Sequence, residues 1–206
     1  MDMFRIFCLL IGYFIGCISM GFIVGKVTKT DLRKKGSGNL GTTNALRVLG
    51  FRAGAATFLG DILKGVLAFF LCRAIFPDHS LLASIYAGAG TILGHDFPFY
   101  LKFKGGKGIA STIGFVLSLA FVFSPLFAVI TIGVGILGVM FSHFISVGSI
   151  LFYISIPICA FFFGMPIEGV VLFTALAILA IWLHRANIKR LRSGTENKFT
   201  LHKSVQ

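Results

Sequence analysis

Apolar residues fill this chain in long blocks, separated by short polar breaks or breaks bearing glycine and proline. The first block covers positions 6–25, about 20 residues, which is enough to cross a hydrocarbon core about 30 Å thick. Arg5 ahead of it gives a superficial likeness to a secretion signal, but no A-x-A-like cleavage site follows and Lys26 closes the run. The block is read as a retained first helix. Between Arg52 and Lys102 there is room for two spans, broken at Phe76-Pro77-Asp78. From Gly108 to Trp182 no Lys or Arg occurs, and breaks fall at Ser124-Pro125, Ser142-His143 and Gly164-Met165-Pro166. Two spans are too few for that distance, and four fit. Several come out at about 16–18 residues, the short end for a crossing. If some of these are half-buried, the number of full spans falls to five or six.

The basic residues orient these blocks. Of 19 Lys and Arg, seven lie from Lys26 to Arg52, three from Lys102 to Lys107 and six from Arg185 to Lys203. Only Arg5, Lys64 and Arg73 stand apart. The positive-inside rule places all three clusters in the cytoplasm, so an even number of spans separates each from the next. The reading is an all-α polytopic membrane protein with about seven transmembrane helices. Its N-terminus is outside and its C-terminus cytoplasmic. With no long repeat, low-complexity stretch or soluble second domain, residues 1–206 form one membrane domain.

Composition agrees and removes other classes. The chain is 56% hydrophobic and 13% charged, with a mean hydropathy of +0.93, too apolar for a soluble domain. A net charge of +12 in such a protein points to anionic lipid headgroups and anionic substrates. Nucleic acid is excluded as a partner because no reading module is present. Cys8, Cys17, Cys72 and Cys159 lie in apolar runs without metal or paired spacing, so they read as small buried hydrophobes. No metal or cofactor site and no obligate protein partner is evident.

Polar chemistry is concentrated in a few segments. The first cytoplasmic loop reads Gly36-Ser37-Gly38-Asn39-Leu40-Gly41-Thr42-Thr43-Asn44, followed by Arg47. It contains G-x-G-x-x-G, but a dinucleotide site needs a preceding strand and Lys34-Lys35 stands there instead. Ser37, Asn39, Thr43 and Asn44 offer neutral hydrogen bonds around a bound group, and Arg47 offers a fork for phosphate. A plain polar turn capped by Asn39 or Thr42 is the alternative. The second loop reads Gly94-His95-Asp96-Phe97-Pro98, then Phe103-Lys104-Gly105-Gly106-Lys107-Gly108. It is not a Walker A motif, since Gly108 stands in place of the Ser/Thr after the lysine. With a helix starting at Gly108–Ile109, backbone N–H groups face an anion there and Lys104 and Lys107 add charge. His95 fits either a helix-end structural role or a substrate contact. Asp61 and Lys64, three residues apart inside the second span, read as an ion pair facing the bundle interior. In the tail, His184 and Asn187 share a helix face at i, i+3. Glu196, nearly the only acid there, fits an ion pair with Arg or Lys. The turn at 142–149 carries Ser142, Ser146 and Ser149, which can add hydroxyls to the same surface, together with His143; a short polar turn without that role is the alternative.

Taken together these segments resemble the PlsY family, the acyl-phosphate-dependent glycerol-3-phosphate acyltransferases of bacterial membranes. Gly36-Ser37-Gly38-Asn39…Thr43-Asn44…Arg47 is similar to its first motif. Gly94-His95…Phe97-Pro98…Phe103-Lys104-Gly105-Gly106-Lys107-Gly108 is similar to its second, and His184-Arg185…Asn187-Ile188…Arg190-Leu191…Gly194…Glu196 to its third. Asp61…Lys64-Gly65 is similar to its second helix. The departures are Thr42 where alanine is common, Ile109-Ala110-Ser111 where Val-Ala-Thr is common, and His143 where a larger basic residue often sits. The resemblance implies a seven-helix fold in the bacterial cytoplasmic (inner) membrane, with the active site at the cytoplasmic face. It implies acyl transfer from acyl phosphate to the 1-hydroxyl of glycerol-3-phosphate, giving 1-acylglycerol-3-phosphate and phosphate. It assigns the second motif to glycerol-3-phosphate, leaving 37–44 for the acyl-phosphate group.

On this reading the catalytic residues are Ser37, Asn39, Arg47 and His184. The substrate-binding residues are Gly38, Gly41, Thr43, Asn44, His95, Lys104, Gly105, Gly106, Lys107, Gly108, Ser146, Asn187 and Glu196. An acyl phosphate is already activated, so no covalent serine intermediate is needed, and no G-x-S-x-G elbow is present. An H-x-x-x-x-D pair is absent too: His79, His95, His143 and His184 are followed at that spacing by Ser84, Tyr100, Gly148 and Lys189, and His202 by nothing. Direct attack is expected, with the hydroxyl proton passing to the acyl phosphate's own phosphate, or else to His184 or His95. Ser37 and Asn39 bond the reacting carbonyl or phosphate in the manner of an oxyanion hole. The competing class is a transporter or channel for a phosphorylated anion.

Overall fold

The structure, a computed structural model, describes residues 3–199. His202 and Lys203 lie outside the described residues. Every regular element among the described residues is helical. In order they are α1 (Met3–Gly16), α2 (Met20–Val27), α3 (Thr42–Leu49), α4 (Phe51–Ile75), α5 (Ser80–Asp96), α6 (Ile109–Val122), α7 (Pro125–Ser142), α8 (Ile145–Phe162), α9 (Ile167–Leu183) and α10 (Arg185–Arg192). Short 3-10 turns stand at Leu32–Lys34, Pro77–His79 and Phe99–Leu101. Four segments are long and apolar enough to cross a bilayer: Met3–Val27, Phe51–Ile75, Pro125–Ser142 and Ile145–Phe162. A fifth is reached if α9 and α10, bent by 53° at their junction, count as one span. At 14 residues, α6 is about 21 Å long.

Local chemistry accounts for the helix ends. Ser124 caps α7, accepting from the Phe127 amide, with Pro125 in the first turn. Phe76 ends α4 ahead of Pro77. The interruptions expected at 76–78, 124–125, 142–143 and 164–166 are all present. The first apolar block differs from its expectation. It is two helices, α1 and α2, broken at 17–19, where Ser19 caps α2 by accepting from the Phe22 amide.

The chain divides into two compact units at the Phe123–Ser124 step. In the first unit, α1 lies against α5 through glycines on both helices. A Cβ on Gly12 or Gly16 would overlap the carbonyls of Ala87 or Thr91, and one on Gly90 or Gly94 would overlap those of Leu9 or Tyr13. Small residues four apart on both faces allow this backbone approach, the main source of helix affinity where the surroundings are apolar. Phe4, Cys8, Ala68, Cys72, Ala83 and Ala87 fill one end of this unit. Leu32, Leu40, Ala45 and Leu101 fill a second cluster beneath its polar loops. In the second unit, Gly135, Gly138 and Gly148 bring α7 and α8 together. The side chains left exposed on the spans are mostly large and apolar, among them Phe121, Phe141, Phe162 and Val129, as a lipid-facing surface requires.

Gly90→Val should therefore destabilise the protein by about 1–3 kcal/mol or more, read as a drop in Tm in detergent. Gly133→Val should be near neutral, since a Cβ there meets nothing within 4 Å.

Candidate active site

The polar surface of the first unit is built on a buried charge. Asp61 and Lys64 lie in α4, 1% and 5% exposed, with Lys64 Nζ 2.8 Å from Asp61 Oδ1. The Lys64 ammonium donates to the carbonyls of Gly16 and Ile18, both at 3.0 Å. These are carbonyls freed by the break between α1 and α2, which an unbroken helix would satisfy internally. Tyr100 adds a second clamp on the break, its hydroxyl donating to the Cys17 carbonyl at 2.8 Å and accepting from the Ser19 amide at 3.4 Å. The ion pair expected from the sequence is thus present, and it also props open the first helix. Ser19, a capping residue type inside an apolar run, was the local signal for that break.

His95, in the last turn of α5, closes the cluster, with Nδ1 2.8 Å from Lys64 Nζ and 3.4 Å from Asp61 Oδ1. The end of α5 then holds the glycine loop. The Gly105 amide donates to the Asp96 carbonyl and the Gly106 amide to the His95 carbonyl, both at 3.0 Å. Gly105 and Gly106, expected to bind substrate, therefore have their N–H groups spent on α5. The donors left to such a role are in the first turn of α6, which starts at Ile109 behind Gly108 in a left-handed conformation (φ 71°). Just before the loop, Lys102 and Phe103 are successive non-glycine residues with positive φ (55° and 57°). Such strain costs about 1–2 kcal/mol per residue, and it sets the exposed Lys104.

The 36–44 loop is held by one side chain. Asn44 is 1% exposed, and its Oδ1 accepts from the Ser37 amide at 2.8 Å. Its Nδ2 donates to the carbonyls of Leu32, Lys35 and Asn39 at 2.9–3.1 Å. Asn44, expected to touch substrate, is instead spent on shaping the loop. Neither expected cap is used, since α3 is capped by Gly41, with Asn39 Oδ1 accepting from the Gly41 amide at 2.7 Å. Ser37, Gly38 and Arg47 are exposed, and Thr43 is half-buried. The two loops meet where Asn39 Nδ2 donates to the Gly105 carbonyl at 3.4 Å. Thr42 Oγ1, near the start of α3, and Ser111 Oγ, near the start of α6, are buried without a hydrogen-bond partner among the described residues.

In the second unit the tail folds back on the α7–α8 turn. Glu196 Oε1 accepts from Ser146 Oγ at 3.0 Å and Asn187 Nδ2 at 2.6 Å, and Oε2 pairs with Arg190 Nε at 2.6 Å. The Phe199 amide donates to the His143 carbonyl at 2.7 Å. The ion pair expected for Glu196 is Arg190, and Asn187 and Ser146 are tied to the same carboxylate. His184 is the N-cap of α10, three residues before Asn187, and its carbonyl accepts from the Ile188 amide at 2.9 Å. It caps α9 at the bend into α10, 3% exposed, with Nδ1 2.8 Å from the Ala180 carbonyl. No group of three or more candidate metal ligands occurs among the described residues.

Apolar helices of membrane-crossing length, carrying glycine-rich polar loops, define a helical integral membrane protein. Its sequence narrows that class. A sequence model of the family described as glycerol-3-phosphate acyltransferase matches residues 6–194. The glycerol-3-phosphate acyltransferase of Alkaliphilus metalliredigens (strain QYMF) is 43% identical over 204 residues, covering 98% of this chain and 100% of the relative. That of Bacillus subtilis (strain 168) is 42% identical over 192 residues, covering 92% and 95%. The crystal structure of PlsY (YgiH), described as an integral membrane glycerol 3-phosphate acyltransferase, matches in its glycerol 3-phosphate form with a TM-score of 0.85 at 33% identity, covering 95% of this chain and 96% of that one. Its lysophosphatidic acid form matches with a TM-score of 0.83 at 32% identity, covering 95% of each chain. The chain belongs to the glycerol-3-phosphate acyltransferase family.

The Glu196 carboxylate carries a pH prediction. Burial raises its pKa, but the hydrogen bonds from Asn187, Arg190 and Ser146 outweigh this and leave it below its ordinary 4.5. A depressed pKa means the folded state prefers the charged form. Its stabilisation is complete above pH 4.5 and is lost as pH falls through the lower folded value. The Tm advantage of the wild type over Glu196→Gln should be full at about pH 6 and shrink towards about pH 3. A pH-independent difference would remove this role.

Proposed function

We propose that this chain transfers an acyl group from acyl phosphate to the 1-hydroxyl of glycerol-3-phosphate, releasing inorganic phosphate and 1-acylglycerol-3-phosphate (lysophosphatidic acid). The observation that carries the reading is the meeting of the two glycine-rich loops at Asn39 and Gly105, in a chain of this family whose structural neighbour has glycerol 3-phosphate and lysophosphatidic acid forms. Lys104, Lys107 and the first turn of α6 take the acceptor's phosphate. Ser37, Gly38, Gly41, Thr43 and Arg47 take the acyl-phosphate group. Buried, unpaired Thr42 and Ser111 hydroxyls near the starts of α3 and α6 support ligand contacts there, since such groups are rarely left unsatisfied. His95 shapes the acceptor side within the first unit, and Ser146, Asn187 and Glu196 are the substrate-binding candidates of the second unit.

The reaction needs no covalent enzyme intermediate. The acceptor oxygen attacks the acyl carbon, the carbon–oxygen bond to phosphate breaks, and the hydroxyl proton leaves with the departing phosphate. The alternatives for that proton are His184 and His95. Ser37 and Asn39 hydrogen-bond the charge that develops, and Arg47 pairs with the leaving phosphate.

We further propose a single membrane domain over residues 1–206 in the bacterial inner membrane, with its site on the cytoplasmic face. Counting α1 with α2, and then α4, α5, α6, α7, α8 and α9, makes seven spans. The basic clusters support an outside N-terminus and a cytoplasmic C-terminus.

The deciding experiment supplies purified protein and labelled glycerol-3-phosphate with acyl phosphate, acyl-CoA or acyl-ACP. Product with acyl phosphate alone is expected, and product with either other donor overturns the donor assignment. Lys104→Ala should raise KM for glycerol-3-phosphate about 10- to 100-fold, as loss of a charge-assisted hydrogen bond does, or abolish turnover. Unchanged kinetics would remove Lys104 from the site, and an acyl group trapped on Ser37 would contradict direct transfer.

A further inference from the structure

Four aromatic rings form a continuous line on the first unit. The ring centres of Phe14 and Phe99 are 6.3 Å apart, those of Phe99 and Tyr100 5.6 Å, and those of Tyr100 and Phe22 6.0 Å, each pair edge to face. Phe14, Phe99 and Tyr100 are exposed, and Phe22 is half-buried. Aromatic rings that anchor a membrane protein form a belt at one depth, the headgroup level. This line runs the other way. Phe14 in α1 and Phe22 in α2 are eight residues apart on the first apolar run, about 12 Å of helix rise. The line therefore follows the helix axis across the break at 17–19.

Its two ends differ in character. Phe14 lies well inside the apolar run. At the other end Lys26 Nζ and Arg33 Cζ each lie 5.6 Å from the centre of the Phe22 ring. Asp31 pairs with Arg33 at 2.9 Å, so Lys26 supplies the net charge there. Phe22 packs on the cluster of Leu32, Leu40, Ala45 and Leu101 beneath the polar loops. The 36–44 loop touches the same corner, since a Cβ on Gly38 would come within 3.2 Å of the Arg33 carbonyl. The rings are also held in place. The Tyr100 hydroxyl is bonded to both sides of the helix break, Phe99 shares its 3-10 turn, and the Tyr13 hydroxyl donates to the Phe97 carbonyl at 2.9 Å. A fixed apolar rail has little freedom left to lose when a chain lies against it.

We propose that Phe14, Phe99, Tyr100 and Phe22 form the track along which the acyl chain of the acyl phosphate lies, leading from the bilayer to the 36–44 loop, with Lys26 at its polar end. A single-chain amphiphile ending in phosphate needs a depth-spanning apolar surface and a cationic end in one place, and the line supplies both. The inference rests on reading the 36–44 loop as the acyl-phosphate wall. A concavity of about 430 Å³ between α8 and α9 is the rival location, but its lining includes no charged residue. Its Thr174 hydroxyl is spent on the Val170 carbonyl at 2.8 Å. It suits a chain of the bilayer rather than one that ends in phosphate.

The first test uses the wild-type protein in bilayers with a palmitoyl phosphonate, a stable mimic of palmitoyl phosphate, carrying a photoreactive diazirine in mid-chain. Label should fall on residues 9–26 and 97–103, and excess palmitoyl phosphate should suppress it. Suppressible label on α8 and α9 instead overturns the track, and so does label on the line that palmitoyl phosphate leaves unchanged. The second test is kinetic. The chain passes from hydrocarbon to an apolar protein surface, so its gain is contact rather than desolvation. Phe14→Ala and Phe99→Ala should therefore raise KM for palmitoyl phosphate by a modest factor, about 3- to 10-fold, with KM for glycerol-3-phosphate unchanged. Octanoyl phosphate, with a chain half as long, should be affected less, and least by Phe14→Ala. Phe121→Ala, at an exposed aromatic residue off the line, should leave both donors unchanged. Equal effects on long and short donors would overturn the track, because a merely structural defect does not sense chain length. Normal turnover with unmoved KM values in both variants would sink the track alone. No product from palmitoyl phosphate in the wild type would sink the acyltransferase reading and the track with it.

Discussion

Burying an ammonium in a helical bundle costs several kcal/mol unless every proton it carries is used. Much of the first unit follows from how Lys64 meets that demand. Its proton acceptors are the carbonyls of Gly16 and Ile18 and the ring nitrogen of His95, with Asp61 as the counter-charge. The two carbonyls exist as acceptors because the first apolar run is broken at 17–19. The break persists because Lys64 and Tyr100 hold it. Neither half is stable without the other. A closed helix would take two acceptors from the ammonium, and a neutral residue at 64 would leave the two carbonyls without that donor.

Position is passed from this cluster to the surface by backbone contacts. Glycines at 12, 16, 90 and 94 bring α1 and α5 close enough that the end of α5 has little freedom. From that end the carbonyls of His95 and Asp96 take the amides of Gly106 and Gly105, and the Gly105 carbonyl takes Asn39 from the neighbouring loop. The strained Lys102 and Phe103 are tolerated because both sides of the turn are anchored. The arrangement suits chemistry that needs fixed donors around transferred charge.

The polar segments of the candidate site were legible in the chain, but the hydrogen-bond partners within them were not. Lys104 and Ser37 lie exposed on the polar loops and Arg47 lies exposed on α3, as their residue types suggested. Asn44 and the Gly105 and Gly106 amides read as ligand contacts because they sit in glycine-rich polar sequence. Their hydrogen bonds instead go to partners that spacing does not reveal, such as Leu32 and Lys35 for Asn44 and the end of α5 for the glycines. His184 and Asn187 sit at helical spacing, and His184 is the junction residue of a 53° bend, capping both α9 and the α10 that carries Asn187. Glu196 gathers Asn187, Arg190 and Ser146, of which only the basic partner was foreseeable.

The sequence by itself determined the all-helical membrane character, most helix breaks, the clustering of basic residues and the family. Each of these rests on local quantities: length of apolar runs, proline and serine at helix ends, and residue types at short spacing. Only the tertiary structure decided that the first helix is interrupted, that Lys64 and His95 share one buried site, and that Asn44 serves its loop. Those outcomes depend on pairing polar groups across 5–12 residues of chain for Asn44 and 31–48 for Lys64. A buried polar group takes whatever partner the fold brings within about 3 Å, and no local pattern records which one that is.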